Sequence, residues 1–224
     1  HLSVRFYRMS PDLEQGYPGN FEISVTYTLT EENEVQIHYH GVSDKDTVAN
    51  MTNHTYFNLS GHQNGTILNH EVWIDANAFT AIDEESIPTG EICQVKGTPF
   101  DFRKQKRVGD EIDADHKQLI LAGGYDHNFV LNKEKGELKK IAEVFDPESK
   151  RKMEVSTTCV GVQFYTGNFI TEGVQGKEGA IYHKRSGLCL ETQFFPDAVH
   201  HENFPSPILK AGEPYDSVTI YKFI

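Results

Sequence analysis

A dense group of polar side chains surrounds a histidine in the first part of the chain. Residues 50–59 place amide and hydroxyl side chains around His54, and two aromatic residues, Tyr56 and Phe57, follow it. Fixed amides can hydrogen-bond sugar hydroxyls, and an aromatic ring can pack against the apolar C–H face of a sugar. A histidine with polar neighbours is also common as a purely structural group. The stretch therefore indicates either a sugar-binding site, with His54 as its candidate functional group, or a hydrogen-bonded structural histidine.

A single carboxylate interrupts an apolar segment near the C-terminal end of the chain. Glu191 follows Leu188 and Leu190 in a run typical of a strand. Such a glutamate lies either at a solvated sheet edge or inside a cleft. In a partly dry cleft its pKa would rise from about 4.3 toward neutrality, the range in which a carboxylate works as a general base. Glu191 is therefore a candidate base, with a solvated edge charge as the alternative.

Two further polar side chains stand out near glycines and along a strand. The glycines at residues 123–124 permit a tight turn that brings Asp126 to the edge of the next strand, although such turn chemistry is common without any function. Within residues 161–169, alternation places Gln163 and Tyr165 on one face and their apolar neighbours on the other. We therefore expect Gln163 and Tyr165 to point away from the core.

Other kinds of catalytic or metal site are disfavoured by the spacing of the residues they need. His38 and His40 could share one strand face, but no third ligand lies at a telling spacing, which favours a solvated face. The sequence has neither the Gly-x-Ser-x-Gly elbow of many hydrolases nor a glycine-rich phosphate loop. The three cysteines, Cys93, Cys159 and Cys189, suit neither a disulfide framework nor a zinc site, and they predict a reducing, cytoplasmic compartment.

The candidate residues must be positioned by strands, because period-two alternation dominates the sequence. Apolar and polar residues alternate over residues 21–29 and again over residues 35–40, and the polar turn between them predicts an antiparallel hairpin. Helical periodicity is scarce, and residues 104–116 could hold only a short turn or two. Further strand-like runs lie at residues 71–74, 124–131, 141–145, 152–158, 162–165, 188–192 and 217–223. We therefore predict an all-β fold, an antiparallel sandwich or barrel, with residues 1–224 in one domain.

The charge balance disfavours two classes of partner. The 224 residues contain 21 Lys and Arg against 33 Asp and Glu, which gives a formal net charge of −12. Such a surface repels nucleic-acid phosphates and anionic lipid headgroups. No apolar run approaches the ~18 residues that a membrane-spanning helix needs. We therefore expect neither nucleic acid nor a membrane as a partner. The sequence leaves the assembly open between a monomer and a homodimer.

Taken in order, the polar stretches resemble the galactose mutarotase (aldose 1-epimerase) family. The likeness extends from about residue 10 to the C-terminal residues 221–223. It is carried by residues 53–59, Asn-His-Thr-Tyr-Phe-Asn-Leu, residues 124–128, Gly-Tyr-Asp-His-Asn, residues 161–168, Gly-Val-Gln-Phe-Tyr-Thr-Gly-Asn, and residues 190–193, Leu-Glu-Thr-Gln. The resemblance implies a large antiparallel β-sandwich that binds an aldose in an open cleft on its concave face.

The same resemblance implies a role for each candidate side chain. Glu191 would be the general base and His54 the general acid, while Asp126 and Gln163 would bind the sugar. The base removes the proton of the anomeric O1 hydroxyl while the acid protonates the ring oxygen, so that the ring opens and can close on its other face. This chemistry requires no metal and no organic cofactor.

Two other functions remain open at the level of the sequence. A non-catalytic carbohydrate-binding sandwich could use the same amides and aromatic rings, although it has no need of an acid opposite a base. An epimerase for hexose phosphates would need a basic phosphate pocket, and the candidate stretches contain no Arg or Lys.

The resemblance also implies an additional N-terminal stretch, which in family members supplies an arginine and a second histidine. We therefore expect this chain to be N-terminally truncated and to show little activity alone.

Overall fold

Two antiparallel β-sheets contain most of the strands and pack against each other. The structure is a computed structural model that describes residues 2–171 and 174–224. The strands are β1 Leu2–Ser10, β2 Phe21–Leu29, β3 Glu34–Ser43, β4 Thr47–Val48, β5 Glu71–Ile74, β6 Ala76–Ile82, β7 Pro88–Gln94, β8 Lys106–Arg107, β9 Asp126–Leu131, β10 Lys139–Phe145, β11 Lys152–Thr157, β12 Gly161–Tyr165, β13 Val174–Gln175, β14 Ile181–Tyr182, β15 Cys189–Gln193, β16 Ile208–Leu209 and β17 Pro214–Phe223. The helical segments are α1 Lys117–Ala122 and the 3₁₀ turns Glu14–Gly16, Val108–Asp110, Lys177–Gly179 and Ala198–His200.

Strand pairing confirms the predicted all-β, antiparallel organisation. The larger sheet has eight strands in the order β1-β2-β3-β17-β11-β10-β5-β8, and the smaller has five in the order β15-β12-β9-β6-β7. The predicted hairpin is confirmed, since β2 pairs with β3 from Phe21 opposite Ser43 to Leu29 opposite Val35. Alternation along each strand sorts side chains onto two faces, so that each sheet can turn one face toward the other.

The hydrophobic core lies between the two sheets. From the smaller sheet and its loops, Phe79 and Phe100 stack with ring centroids 4.1 Å apart, and Phe164 is fully buried in the same core. The larger sheet contributes Val144 and Val155 to the same core. Burial of a large apolar side chain stabilises the fold by roughly 1.5–3 kcal/mol. This core fixes the inner face of the smaller sheet, and the site lies on its outer face.

Two features of the fold differ from the sequence pattern. Among the longer strands, β1, β6 and β7 were not predicted. Nearly every side chain of β6 is buried and β1 is exposed on both faces, so neither of these two shows alternating burial. The predicted segment 104–116 holds the short 3₁₀ turn Val108–Asp110, and the helix α1, which was not predicted, follows it. Helix α1 begins where His116 accepts a hydrogen bond from the N–H of Gln118, and it ends at Gly123, whose φ of 65° is left-handed. Within the described residues, no helix has the length and apolar character needed to cross a membrane.

Candidate active site

Three neighbouring strands of the smaller sheet present polar side chains away from the core. Gln163 on β12 lies opposite Asn128 on β9 and opposite Glu191 on β15. Successive side chains of a strand point to opposite faces, so Asp126 shares a face with Asn128, and His127 between them points into the core. The alternation that buries apolar side chains on one face therefore gathers the candidate polar groups on the other.

His54 reaches this polar face from an irregular segment, residues 49–59. The N–H of Phe57 donates to the carbonyl of Leu188 at 2.7 Å, and the N–H of Leu188 donates back at 2.9 Å. This pair of hydrogen bonds ties the segment to the start of β15. The imidazole then lies with Nε2 3.4 Å from Oε1 of Glu191.

Two amides close to His54 hold the segment in place. Asn50 pairs with the backbone of Phe194, donating from Nδ2 to the carbonyl at 3.1 Å and accepting the N–H at 2.9 Å. Asn53 donates from Nδ2 to the hydroxyl of Tyr221 at 3.0 Å. Neither asparagine lines the cavity described below. These two amides therefore hold the segment that carries His54, and the polar groups that line the cavity come from the sheet.

Glu191 lies on an edge strand and is nevertheless largely shielded from water. Strand β15 is outermost in the five-stranded sheet, yet the Glu191 side chain is only 12% exposed, against 51% for His54. Burial raises the pKa of Glu191 to about 7, with His54 acting to lower it and the carboxylate of Asp126 acting to raise it. The sequence left an edge and a cleft as alternatives. The edge is not solvated, because residues 49–59 cover it, and Glu191 lies in a cleft.

Asp126 is fixed at the start of β9 from both faces of the sheet. On the polar face, Nε2 of Gln163 donates to Oδ1 of Asp126 at 2.8 Å. On the core face, Nδ1 of His127 accepts the N–H of Asp126 at 3.2 Å, and its Nε2 lies 3.2 Å from Oε1 of Gln118. Burial lowers the pKa of His127 to about 3, so the ring is neutral and donates from Nε2. Burial also raises the pKa of Asp126, and the hydrogen bond from Gln163 opposes that rise.

The polar face and the His54 segment enclose an open cavity of about 410 Å³. One side is aromatic, with ring centroids 6.1 Å apart for Tyr56 and Tyr165 and 6.3 Å apart for Tyr165 and Phe169. The described residues that line it are His54, Tyr56, Asp126, Gln163, Tyr165, Phe169, Glu191, Gln193 and Pro196. Carboxylates and amides beside aromatic rings suit a small ligand that carries both hydroxyls and C–H surface.

The cavity brings together every residue that the sequence analysis proposed as catalytic or substrate-binding. These residues are His54, Asp126, Gln163 and Glu191. Alternation placed Tyr165 on the same face as Gln163 but gave it no role. It could also have found Gln193, which lies two residues from Glu191 on the same strand. Tyr56 and Phe169 belong to loops, whose approach to the sheet has no periodic signal. The chemical roles of the four candidates stay predictions.

Three potential metal donors also meet in the described part of the chain. The ligand atoms of His54, Cys189 and Glu191 lie within 4.8 Å of one another, and Cys189 Sγ is 3.4 Å from Nδ1 of His54. A thiol binds metals as the thiolate. Cys189 is fully buried, and burial together with the nearby carboxylates raises its pKa. This environment favours a neutral thiol hydrogen-bonded to the imidazole, and the absence of a metal cofactor remains a prediction.

Comparison with known proteins relates these features to a family. A family model described as aldose 1-epimerase matches residues 1–222. The chain belongs to the aldose 1-epimerase family. The galactose mutarotase of Bos taurus is 48% identical over 220 residues, which cover 98% of this chain and 62% of that protein. The aldose 1-epimerase of Escherichia coli (strain K12) is 41% identical over 224 residues, which cover 99% of this chain and 64% of that protein.

Solved structures of aldose 1-epimerase relatives have the same fold. The galactose 1-epimerase of Lactobacillus acidophilus NCFM matches with a TM-score of 0.85 at 29% identity, covering 99% of this chain and 62% of that one. A C. elegans aldose epimerase homologue matches with a TM-score of 0.87 at 28% identity, covering 99% and 65% respectively. The expected mutarotase-like sandwich is therefore confirmed. The chain spans less than two thirds of the length of the two curated relatives named above, 62% and 64%.

Proposed function

We propose that the full-length protein is an aldose 1-epimerase that interconverts the α and β anomers of galactose, glucose or a related aldose. The observation that carries this proposal is the contact of His54 with Glu191, whose Nε2 and Oε1 atoms are 3.4 Å apart in the cavity. An imidazole beside a carboxylate of raised pKa provides a proton donor and a proton acceptor at one place. The activities named for the relatives, galactose mutarotase and aldose 1-epimerase, support the same reaction.

The reaction moves one proton at each of two oxygens that share a carbon atom. Glu191 takes the proton of the O1 hydroxyl while protonated His54 gives a proton to the ring oxygen O5, and the C1–O5 bond breaks. The open aldehyde rotates about C1–C2. On closure the C5 hydroxyl returns its proton to His54 and attacks the other face of C1, and O1 recovers its proton from Glu191. Because O1 and O5 are both bonded to C1, acid and base must be neighbours, as His54 and Glu191 are.

The environment of the pair suits proton transfer near neutral pH. A pKa of about 7 leaves Glu191 substantially ionised at neutral pH while making it a stronger base than an exposed carboxylate. A placed proton donor or acceptor contributes about 10²–10⁴-fold to a rate. The His54 side chain is 51% exposed, which leaves the ring accessible to a sugar in the cavity.

The polar and aromatic groups beside His54 and Glu191 are proposed to bind the aldose. Asp126 accepts hydrogen bonds from sugar hydroxyls, and Gln163, which already donates to Asp126 at 2.8 Å, supplies a further contact. Tyr56 and Phe169 offer faces against which the C–H side of a pyranose can pack. These groups bind the ring, and the pair at C1 performs the chemistry.

Two other functions are less well supported. A non-catalytic carbohydrate-binding module needs no acid in contact with a base, and keeping Glu191 shielded with a raised pKa would serve no purpose in it. An epimerase for hexose phosphates needs cations around the phosphate, whereas the described lining of the cavity includes no lysine or arginine. Both considerations favour a neutral aldose as the substrate.

The proposal extends to the cofactors, location and assembly of the protein. The reaction as written needs neither a metal nor an organic cofactor. A cytoplasmic location fits Cys93, Cys159 and Cys189, which are all free thiols. The core shared by both sheets supports treating residues 1–224 as one domain, and we propose a monomer or a homodimer as the assembly.

Polarimetry of freshly dissolved α-D-galactose or α-D-glucose tests the proposed function. The full-length protein should speed the approach to anomeric equilibrium with no added metal, nucleotide or nicotinamide. Treatment with a chelator should leave the rate unchanged. A rate no faster than that of buffer, or a rate abolished by the chelator, would contradict the proposal.

A further inference from the structure

A row of polar side chains crosses the outer face of the smaller sheet from β9 to β15. Gln163 on β12 donates from Nε2 to Oδ1 of Asp126 at 2.8 Å. Gln193 on β15 donates from Nε2 toward Oε1 of Gln163 and toward Oδ1 of Asn128, each at 3.4 Å. Gly161 lies opposite Gln193, and a side chain there would meet Asn128 Oδ1 at 2.5 Å. The glycine therefore leaves the space in which Gln193 and Asn128 approach each other.

The hydrogen bonds along this row determine the orientation of the NH₂ and carbonyl groups of the two glutamine side chains. An ionised carboxylate only accepts hydrogen bonds, so Gln163 must turn its NH₂ group toward Asp126. Its carbonyl oxygen then faces Gln193, which must in turn present its own NH₂ group. The carbonyl oxygen of Gln193, Oε1, is consequently directed away from the row.

That carbonyl oxygen remains available to a ligand. Among the described residues, no group donates a hydrogen bond to Oε1 of Gln193, and Oε1 is not one of the fully buried unpartnered atoms. The Gln193 side chain lines the same cavity as Glu191 although the residue as a whole is only 7% exposed. A mostly buried amide that lines a cavity and has an unpartnered oxygen is suited to recognise a hydroxyl there.

We propose that Oε1 of Gln193 accepts a hydrogen bond from one ring hydroxyl of the aldose and so helps to determine which sugar is bound. The inference rests on the proposed function, because it takes the cavity to hold an aldose with C1 beside Glu191. Glu191 and Gln193 are two residues apart on β15, which separates them by about 6.7 Å along the strand. That spacing is comparable to the width of a pyranose ring, so Gln193 contacts a hydroxyl on a carbon other than C1.

Calorimetric titration with D-galactose and its monodeoxy analogues tests this contact in the full-length protein. Gln193→Met keeps the length of the side chain and removes the acceptor, so it should raise Kd for D-galactose about 3- to 10-fold. One monodeoxy sugar, the one lacking the contacted hydroxyl, should bind the variant and the wild type equally. The matched control Gln36→Met alters a glutamine on β3 of the other sheet and should leave every Kd unchanged.

A second variant separates direct contact from an effect passed along the row. If Gln193 acts only by orienting Gln163, Gln163→Met and Gln193→Met will show the same pattern across the deoxy sugars, and the inference is overturned. It is also overturned if Gln193→Met binds every sugar as the wild type does, while the proposed function is untouched. If the sugars bind with the expected pattern across the deoxy analogues but mutarotation is not accelerated, the proposed contact of Gln193 is supported and the proposed epimerase activity is contradicted. A wild-type protein that binds no aldose would contradict both.

Discussion

At the scale of the residue, the site depends on a carboxylate kept out of water beside an imidazole. Glu191 has an ordinary pKa of 4.5 that burial raises to about 7, and the Asp126 carboxylate contributes to the rise. His54 opposes the rise without cancelling it. The same burial that makes Glu191 a stronger base also makes its ionised form costly to the folded protein.

That cost predicts a pH-dependent gain in stability for Glu191→Gln. The folded pKa lies above the unfolded one, so between pH 4.5 and about 7 the folded protein binds more protons and loses stability as pH rises. At pH 8 the variant should therefore exceed the wild type by roughly 1–3 kcal/mol in free energy of unfolding, and the difference should shrink toward pH 4. Urea denaturation at both pH values measures it, with the exposed Glu178→Gln as control. A difference independent of pH would show that Glu191 has an ordinary pKa.

A substitution at Asp126 tests whether this residue binds the sugar or takes part in the chemical step. Its carboxylate accepts a hydrogen bond from Gln163, while its backbone N–H donates to the neutral ring of His127. The carboxylate is proposed to accept hydrogen bonds from sugar hydroxyls. Asp126→Asn should raise KM for galactose about 10- to 100-fold, the effect of losing a charged hydrogen bond, with a smaller change in kcat. Steady-state polarimetry measures both, and Asp216→Asn, far from the cavity on β17, is the control. A loss confined to kcat would instead give Asp126 a chemical role.

At the scale of the element, alternation explains most of what the sequence could predict about the site. The period of two placed Gln163 on a polar face, whereas Glu191 was left between an edge and a cleft. Applied from Glu191, the same rule extends to Gln193. The approach of His54 was not predictable, because it depends on residues 49–59 crossing over β15 through contacts distant in the sequence. Such contacts have no local pattern, and only the family resemblance indicated that His54 and Glu191 act together.

Because residues 49–59 hold His54 over the sheet, a substitution in this segment should displace His54 without changing a residue that lines the cavity. Asn53 donates from Nδ2 to the hydroxyl of Tyr221 at 3.0 Å, and that hydroxyl donates its one proton to the carbonyl of Leu190 at 2.7 Å. Asn53→Ala should cost about 1 kcal/mol of stability, because the tyrosine keeps its second partner. It should lower kcat about 10-fold or more with little change in KM, since the acid is no longer held beside the base.

Denaturation and polarimetry on the same preparations measure the two effects of Asn53→Ala. Asn203→Ala is the control, because that asparagine donates to the carbonyl of Gly90, outside the cavity. If Asn53→Ala keeps the full kcat, His54 is held by other contacts or is not the acid.

At the scale of the whole molecule, the class of fold was predictable and its arrangement was not. Alternating runs such as residues 21–29 predicted antiparallel strands because a half-buried strand imposes that pattern. Strand β6 escaped prediction because it is buried on both faces, and β1 because it is buried on neither. The order of strands within each sheet depends on pairings such as β3 with β17, which lie far apart in the sequence.

The turnover of Glu191→Gln in the full-length protein tests the central claim, that Glu191 is the base of an acid–base pair with His54. The substitution keeps the shape of the side chain and removes its ability to take a proton. Mutarotation of α-D-galactose, followed by polarimetry beside the control Asp216→Asn, should show kcat reduced by about 10²–10⁴-fold in Glu191→Gln alone. A variant Glu191→Gln that turns over galactose as fast as the wild type would contradict the account.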